Sequence, residues 1–421
     1  VTLTELANVA EVEAEFKAGN NVIINGDWTA NTDLRIPTGY VLKVNGDLGI
    51  NGDDQIKNSG KLIVTGNLAV DAAQGTLTGT ISAGSMTLNG NTTINADVTL
   101  GGNLTATNHA VTVSAGKTVL VKGDINLGAN GTMVNYGHVE WTGNVTAKSW
   151  KDVKDNSSVG GTMTVETLIV GDGSVAGNVS VTALTADTIT LNKGNAAVSG
   201  DLESKSGGMV TVTGSDESAL TVSGNVENSI SVADVNLSAG TVKGDLTLTG
   251  DASAVVESAT SIDNQGTGTV TTTDSSADVT VKDTEIKANV TYAGDTTLSG
   301  ESITVNDGVT VTANGDLTIS NSMTLKGTLV INGKVTGLDK ISGTNVADKE
   351  KATVVFGNGA SAAAASDKFV DANGLTVAAD KLAGKTFVYN AEKQKFVCED
   401  ETSLGILANA LQYAYQDDGK G

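Results

Sequence analysis

The sequence predicts an all-β fold, a parallel β-solenoid of stacked β-arch repeats with a period of about twenty residues. Three observations lead to this prediction. A glycine-containing turn recurs at that interval, short strands between the turns alternate apolar and polar residues, and the composition is poor in aromatic residues. Each repeat is therefore expected to bury its apolar face by stacking on its neighbours.

The recurring turn is Gly-Asp or Gly-Asn followed by Leu, Val or Ile. Its copies are Gly46-Asp47-Leu48, Gly66-Asn67-Leu68, Gly102-Asn103-Leu104, Gly123-Asp124-Ile125, Gly143-Asn144-Val145, Gly177-Asn178-Val179, Gly200-Asp201-Leu202, Gly224-Asn225-Val226, Gly244-Asp245-Leu246 and Gly315-Asp316-Leu317. Self-similarity of this kind is typical of repeat proteins, whose core grows lengthwise. A chain of 421 residues then needs no division into several globular domains.

Composition and charge narrow the possible functions. Hydrophobic residues make up 39% of the chain but aromatic residues only 3%, which suits a narrow coil interior. The net charge of −22 excludes nucleic acid and anionic membrane surfaces as general partners, because both require basic patches. Arg35 is the only arginine, which disfavours bidentate recognition of phosphates or sugar acids. No apolar run is long enough for a transmembrane helix, so we predict no membrane insertion.

The N-terminal segment, residues 1–21, is predicted to be a capping helix over the open end of the first coil. A helix over 2–18 is indicated by the capping-box spacing of Thr2 and Glu5 and by Gly19 as a stop signal. Its apolar stripe consists of Leu6, Val9, Val12 and Phe16.

Residues 22–345 are predicted to form the solenoid, with strands of five or six residues joined by Asn-Gly, Ala-Gly or Gly-Asp turns. Typical strands are 61–65, 110–114, 118–122, 209–213 and 328–332. One period suits either three strands with three corners or two strands in an arch. The turn spacing loosens at 145–177 and 246–294, so we expect loops or irregular coils at 148–152 and 261–277.

Residues 346–421 are predicted to form a C-terminal cap or a docking module for the next subunit. The stretch 357–366 is expected to be a connection or a short helix. Strands 386–389 and 395–398 are expected to pair as an antiparallel hairpin, followed by a helix over 403–415.

No catalytic constellation is found in the sequence, and we predict no enzyme and no cofactor. His109 and His138 are the only histidines and lie far from Cys398, so a nucleophilic triad has no base near its nucleophile. A polysaccharide-active β-helix enzyme would need clustered acids, whereas the acids here are spread along the turns. Calcium is the one ion that the turns suit, through Asp47 and the acids of 51–54 stacked in register; the alternative is that these turns are solvated.

Two kinds of modification site are predicted. Cys398 is the only cysteine, and we expect either an intermolecular disulfide or a semi-buried thiol without a role. Sequons for N-glycosylation begin at Asn91, Asn103, Asn144, Asn178 and Asn289.

The function class predicted from these features is structural and extracellular. An acidic β-repeat chain that starts at Val1 rather than Met indicates a processed, exported protein. A solenoid with capped ends would serve as a monomeric spacer or adhesin. A solenoid whose edges or flanks pair with other copies would build a homopolymer.

In its repeat character, length and low aromatic content, the whole chain resembles the amyloid-like major proteins of the tubular cell sheath of filamentous methanogenic archaea. That resemblance implies β-arches aligned into hoops and self-assembly into a stable tube that surrounds the cell, which would make this chain part of an archaeal cell envelope. Bacterial surface-layer (S-layer) proteins and autotransporter passenger domains share the same traits. The alternative function is accordingly a capped β-helical adhesin that binds a glycan or a host surface.

Overall fold

The fold is seen in a computed structural model that describes residues 1–51, 56–72, 74–153, 158–215, 217–344 and 351–399. The chain forms a parallel β-solenoid of about 17 turns with a period of roughly 19 residues. The predicted fold class is therefore confirmed. The chain divides into two compact units, unit 1 (Val1–Asn228) and unit 2 (Ser229–Gly421), which are described separately.

Each coil of unit 1 has three strands, which decides between the two predicted cross-sections. One coil contains Ala110–Val113, Thr118–Val121 and Ile125–Asn126, and each pairs in parallel with its counterpart about one period later. Inward residues alternate with outward residues along Ala110–Val113 and Thr118–Val121, because successive side chains of a strand point to opposite faces. The lumen is consequently lined by aliphatic side chains such as Val111 and Val119, both 0% exposed.

The strands of unit 1 are Thr2–Thr4, Val22–Asn25, Trp28–Ala30, Val41–Asn45, Leu48–Ile50, Lys61–Val70, Gln74–Leu88, Asn91–Leu100, Leu104–Thr105, Ala110–Val113, Thr118–Val121, Ile125–Asn126, Thr132–Asn135, His138–Trp141, Asn144–Thr146, Ser149–Asp152, Ser158–Thr164, Thr167–Val170, Asn178–Thr185, Thr188–Leu191, Asn195–Val198, Leu202–Glu203, Val210–Gly214 and Ala219–Val222.

The N-terminal helix is shorter than predicted and spans Val9–Lys17. Its capping box is formed by Asn8 and Glu11 rather than by Thr2 and Glu5. The predicted start was wrong because Thr2–Thr4 adds a parallel strand to Val22–Asn25, which an extended segment at the sheet edge can do and a helix cannot.

The buried face of this helix is narrower than the predicted stripe. Val12 and Phe16 are buried, whereas Leu6 precedes the helix and is 87% exposed. The Phe16 ring centroid lies 5.8 Å from that of Tyr40. The indole Nε1 of Trp28 donates a hydrogen bond to the carbonyl oxygen of Ala7 at 2.7 Å. These contacts hold the helix against the first coils of unit 1.

The loop predicted at 148–152 is instead a strand, Ser149–Asp152, paired in parallel with Thr132–Asn135 and Thr167–Val170. Trp150 is fully buried in the lumen. The prediction failed because it relied on the missing Gly-Asx turn. The strand itself depends on inward–outward alternation, which continues through this coil.

Unit 2 is built from the same three-strand coil. Val290–Tyr292, Thr296–Leu298 and Ser302–Val305 pair in parallel with Thr310–Ala313, Leu317–Ile319 and Ser322–Leu325 of the next coil. The second stretch predicted as a loop or irregular coil, 261–277, is confirmed in part, because residues 265–269 and 273–277 lie outside the strands while Val270–Thr272 is a strand. Part of it lies in Ser253–Asn264, which pairs along most of its length with Asn236–Thr249.

The strands of unit 2 are Ile230–Ala233, Asn236–Thr249, Ser253–Asn264, Val270–Thr272, Val279–Val281, Glu285–Ile286, Val290–Tyr292, Thr296–Leu298, Ser302–Val305, Thr310–Ala313, Leu317–Ile319, Ser322–Leu325, Thr328–Ile331, Lys334–Thr336, Ile341–Gly343, Thr353–Phe356, Ser361–Ala362, Phe369–Val370, Thr386–Asn390 and Lys395–Glu399, with short 3₁₀ helices at Leu338–Lys340 and Ala379–Lys381.

Residues 351–399, here called the closing region, end the described part of unit 2. Parallel pairing continues past residue 345, since Thr353–Phe356 pairs with Thr328–Ile331. The predicted hairpin is confirmed: Thr386–Asn390 is antiparallel to Lys395–Glu399. Its first strand also pairs antiparallel with Thr353–Phe356 and thus occupies the edge of the last parallel rung. The predicted helix at 403–415 lies outside the described residues.

An aromatic cluster fills the closing region. The Phe369 ring centroid lies 5.3 Å from that of Phe387 and 4.9 Å from that of Phe396, and all three side chains are buried. Phe356 contacts Phe369 and Phe387 edge-on. The stretch 357–366 within this region is a connection that carries the short strand Ser361–Ala362 rather than a helix.

Candidate functional site

The Gly-Asx turn forms one corner of the coil and links neighbouring coils where it recurs. The backbone N–H of Asp47 donates to the side-chain Oδ1 of Asp27 at 2.8 Å, and that of Asn67 donates to Oδ1 of Asp47 at 2.7 Å. Leu48 and Leu68, the third residues of two successive turns, stack in register inside the lumen. The motif therefore satisfies a backbone donor at a bend, where the strand ladder is interrupted.

Glycine is required at this corner because the Asx side chain of the preceding coil occupies the space of a β-carbon. A Cβ at Gly66 would lie 2.0 Å from Oδ1 of Asp47, and one at Gly143 would lie 2.2 Å from Oδ1 of Asp124. The same ladder recurs between Asp201 and Asn225 in unit 1. In unit 2 it links Asp295 to Asp316 at 2.8 Å. We call this feature the Gly-Asx corner.

The calcium prediction concerns the same acids. At the corner, Oδ1 of Asp47 accepts a hydrogen bond from the backbone N–H of Asn67. The side-chain Nδ2 of Asn51 donates to Oδ1 of Asn31 at 3.3 Å. Residues 52–54 of the predicted site lie outside the described residues. Across the part of the chain that the structure describes, no group of three or more His, Cys, Asp or Glu side chains is arranged to hold a metal ion.

All five predicted glycosylation sites lie at or near the starts of strands. Asn178 is half-buried and the other four are exposed. Oδ1 of Asn91, Asn103 and Asn289 accepts the backbone N–H of Ala110, Asp124 and Thr310, respectively, in the next coil. A glycan would attach to Nδ2, which leaves this Oδ1 contact intact. Glycosylation stays a prediction.

Cys398 lies in the hairpin strand Lys395–Glu399, opposite Phe387. It is half-buried, and its Sγ lies 3.7 Å from the carbonyl oxygen of Glu399. The predicted intermolecular disulfide of Cys398 stays a prediction.

A buried polar cluster in unit 1 escaped the sequence analysis. Nε1 of Trp150 donates to Oγ of Ser158 at 3.1 Å, and Ser158 in turn donates to the carboxylate of Asp152. Nδ2 of Asn135 also reaches Oγ of Ser158, at 3.4 Å. All four residues are 1% exposed or less, so this cluster is closed to solvent. Its hydrogen bonds satisfy polar side chains inside the coil.

A second buried carboxyl group lies in unit 2. Asp283 is 2% exposed, and its Oδ1 accepts the backbone N–H of Asn264 at 2.5 Å. Among the described residues no hydrogen-bond partner is found for its Oδ2 or for the hydroxyl of the fully buried Tyr292. Desolvation, and then the nearby charge of Asp263, raises the pKa of Asp283 to about 7. Burial raises the pKa of Tyr292 as well, and the charge of Asp283 raises it further.

A signal for both buried acids exists in the sequence. Asp152 continues the inward phase set by Trp150, and Asp283 continues the phase of Val279 and Val281. An acidic residue in the apolar phase of an alternating strand is expected to point into the core. Their burial was not predicted because acids in turns and acids in strands were considered together.

Two surface depressions on the coil flanks are lined by charged and hydroxyl side chains. One of about 440 Å³ in unit 1 is lined by Glu166, Asp187 and Lys205, among others, and the Lys205 ammonium lies 3.6 Å from the Glu166 carboxylate. Another of about 390 Å³ in unit 2 runs along stacked threonines and the corner acids Asp295 and Asp316. No helix in the described ranges is long and apolar enough to cross a bilayer.

Comparison with protein-family models, with curated proteins and with solved structures yields no match for this chain. Its function is therefore argued from the coil, the corner and the two ends of the described chain.

Proposed function

We propose that this protein is a non-enzymatic structural subunit of an extracellular layer, such as a cell sheath or a surface layer, and that its partners are copies of itself. The observation that carries this proposal is the regular stack of coils tied by Gly-Asx corners, which occurs in unit 1 and in unit 2. A stack of this kind presents outward side chains at a regular spacing from coil to coil, as an assembling surface requires. The net charge of −22 favours a hydrated exterior.

The coil flanks, rather than the closing region, are the proposed contact surface between copies. The hairpin occupies the edge of the rung Thr353–Phe356, so a strand of another copy has no ladder to extend there. The flanks instead carry polar columns in register. In unit 2 one such column consists of Thr280, Thr297, Thr318 and Thr336.

Electron microscopy of the purified full chain over a range of concentrations tests this proposal. We expect sheets, rings or tubes with a lateral repeat set by the coil flanks. Particles that stay separate at high concentration, with a monomer mass by light scattering, would contradict self-assembly.

The proposed role of Cys398 is to cross-link neighbouring copies, and it is tested separately. Non-reducing gels of assembled material should show a dimer that reducing agent removes. The variant Cys398→Ser should lose this dimer while assemblies still form under the microscope. Monomer alone in the wild-type gel would rule out the cross-link without affecting the structural proposal.

A capped adhesin is the second candidate, and the closing hairpin favours it because a closed edge suits a protein that acts as a single particle. Its test is binding of the monomeric chain to immobilised glycans or cell surfaces. Saturable binding by a strictly monomeric chain would favour the adhesin over the layer subunit.

A further inference from the structure

Asp283 lies in the lumen of unit 2, unlike the corner acids, which lie at half-buried or exposed positions. It follows Val281 in the inward phase, between the strands Val279–Val281 and Glu285–Ile286. The coil on one side contributes Asn264, whose backbone N–H is the donor to Oδ1. On the other side Gly300 packs so closely that a Cβ there would lie 2.1 Å from the carbonyl oxygen of Asp283.

The surroundings suit a neutral carboxylic acid better than a carboxylate. An ionised carboxylate has two oxygens that accept hydrogen bonds. Here its donors are backbone amides, those of Asn264 and of Asp283 itself, and Oδ2 has no hydrogen-bond partner in the described chain. The hydroxyl of Tyr292, buried in the same part of unit 2, also has no partner there. Burying a charge without compensating donors is costly, whereas the protonated group carries no charge to desolvate.

Among the residues that the structure describes, no opposite charge faces Asp283 to offset this cost. On its own segment, the Lys282 ammonium lies 3.4 Å from Asp245 with its side chain about half exposed, and the exposed Glu285 pairs with Lys287 at 3.7 Å.

The neighbouring elements add no positive charge either. The preceding coil contributes Asp263, which has the same sign, and the following coil contributes Glu301, which is exposed. Tyr292 is uncharged when protonated. The electrostatic surroundings of Asp283 therefore favour its proton.

We propose that Asp283 is a pH-sensitive lock in unit 2: its protonated carboxyl group keeps the coils around it closed, and loss of that proton loosens them. The elements concerned are the strands Ser253–Asn264, Val279–Val281, Glu285–Ile286 and Val290–Tyr292. The loosened state admits solvent to the buried carboxylate and to the Tyr292 hydroxyl, which satisfies both groups.

The direction of the pH effect follows from proton linkage. The pKa of Asp283 is about 7 in the folded chain against 3.8 for an unperturbed aspartate, so the folded state binds this proton more tightly than the unfolded state does. The contribution to stability is complete below pH 3.8, declines as the pH rises, and is lost above about pH 7.

Hydrogen bonds lower the pKa of Asp245 and Asp274, the other acids of unit 2 with a resolved shift, so they act at lower pH. The only histidines of the chain, His109 and His138, lie in unit 1. A pH dependence of the strands around Asp283 between pH 5 and 8 is assigned to this residue by comparison with Asp283→Asn.

Hydrogen exchange of the full chain between pH 5 and 8 tests the lock. The rates are analysed as protection factors, which removes the pH dependence of the intrinsic exchange rate. In the wild type, protection in the four strands named above should fall as the pH rises. The fall should be up to roughly tenfold for each pH unit until about pH 7, where it should level off. In Asp283→Asn, a neutral side chain of the same shape, protection should no longer depend on pH. The control Asp278→Asn removes the same charge from an exposed position of unit 2 and should keep the wild-type dependence.

A direct titration keeps the proposal testable if the Asp283→Asn chain does not fold. The carboxyl ¹³C resonance of Asp283 in the wild-type chain should titrate near pH 7. Titration near pH 4, or equal pH dependence in the wild type and in Asp283→Asn, would overturn the proposal.

Discussion

The coils and the closing region are stabilised in different ways. At the Gly-Asx corners, backbone amides reach the Asx side chains of the preceding coil, and the fit is so tight that a β-carbon is excluded. In the closing region four phenylalanines pack around one another, and the strand pairs include antiparallel ones. A repeating unit must accept the same neighbour on both sides, whereas the terminal unit must cover an edge, and this difference explains the change from backbone fit to aromatic packing.

The largest effect is expected from Phe369→Ala, which removes the ring at the centre of the aromatic cluster. Loss of a buried phenylalanine with contacts to Phe356, Phe387 and Phe396 should lower the free energy of unfolding of the closing region by about 3–5 kcal/mol. Denaturant titration followed by hydrogen exchange of strands Thr386–Asn390 and Lys395–Glu399 measures this loss. Phe369→Leu, which keeps much of the buried volume, should cost markedly less; equal losses would show that packing is not what closes this end.

A smaller loss is expected from Gly143→Ala at a Gly-Asx corner of unit 1. The added Cβ would lie 2.2 Å from Oδ1 of Asp124 and 2.9 Å from the carbonyl carbon of Gly123, so two coils must separate locally, at a cost of about 1–3 kcal/mol. The matched control is Gly49→Ala, whose nearest contact would be Oγ1 of Thr29 at 3.6 Å. Denaturant unfolding of both variants should show a loss only for Gly143→Ala, and similar stabilities would refute the tight corner.

The smallest effect is expected from Asp124→Ala, which removes the acceptor for the backbone N–H of Asn144. Loss of one such hydrogen bond at a half-buried corner should cost about 1 kcal/mol. Asp124→Asn keeps an Oδ1 acceptor, as other corners of this chain already do, and should stay near wild-type stability. If both variants lose equally in thermal unfolding, the charge of Asp124 matters rather than its hydrogen bond.

Much of the fold could be predicted because its signals are local. The Gly-Asx period and the inward–outward alternation predicted a parallel solenoid, and the apolar runs around 386–398 predicted the closing hairpin. The errors came from treating an absent turn motif as an absent strand at Ser149–Asp152, and from placing the helix start at Thr2 instead of Asn8. In both places a strand partner from another coil decided the local conformation.

The candidate site was less predictable from the sequence. The corner acids were noticed as possible calcium ligands, but their role as acceptors for the next coil appears only when successive coils are stacked. Asp152 and Asp283 were not singled out, although their phase in the alternation indicates burial. Whether a buried acid meets side-chain donors, as Asp152 meets Ser158, or only backbone amides, as Asp283 does, depends on which residues adjacent coils bring together.

By itself, the sequence determined the period, the inward–outward alternation, the glycine corners and the acidic exterior, because each depends on residues close together in the chain. The tertiary structure decided the three-sided cross-section, the antiparallel closure at Thr353–Phe356 and the environment of each buried acid. These features depend on contacts between residues one or more coils apart. Small differences in coil length add up along the stack and decide which residues meet, and no single repeat specifies them.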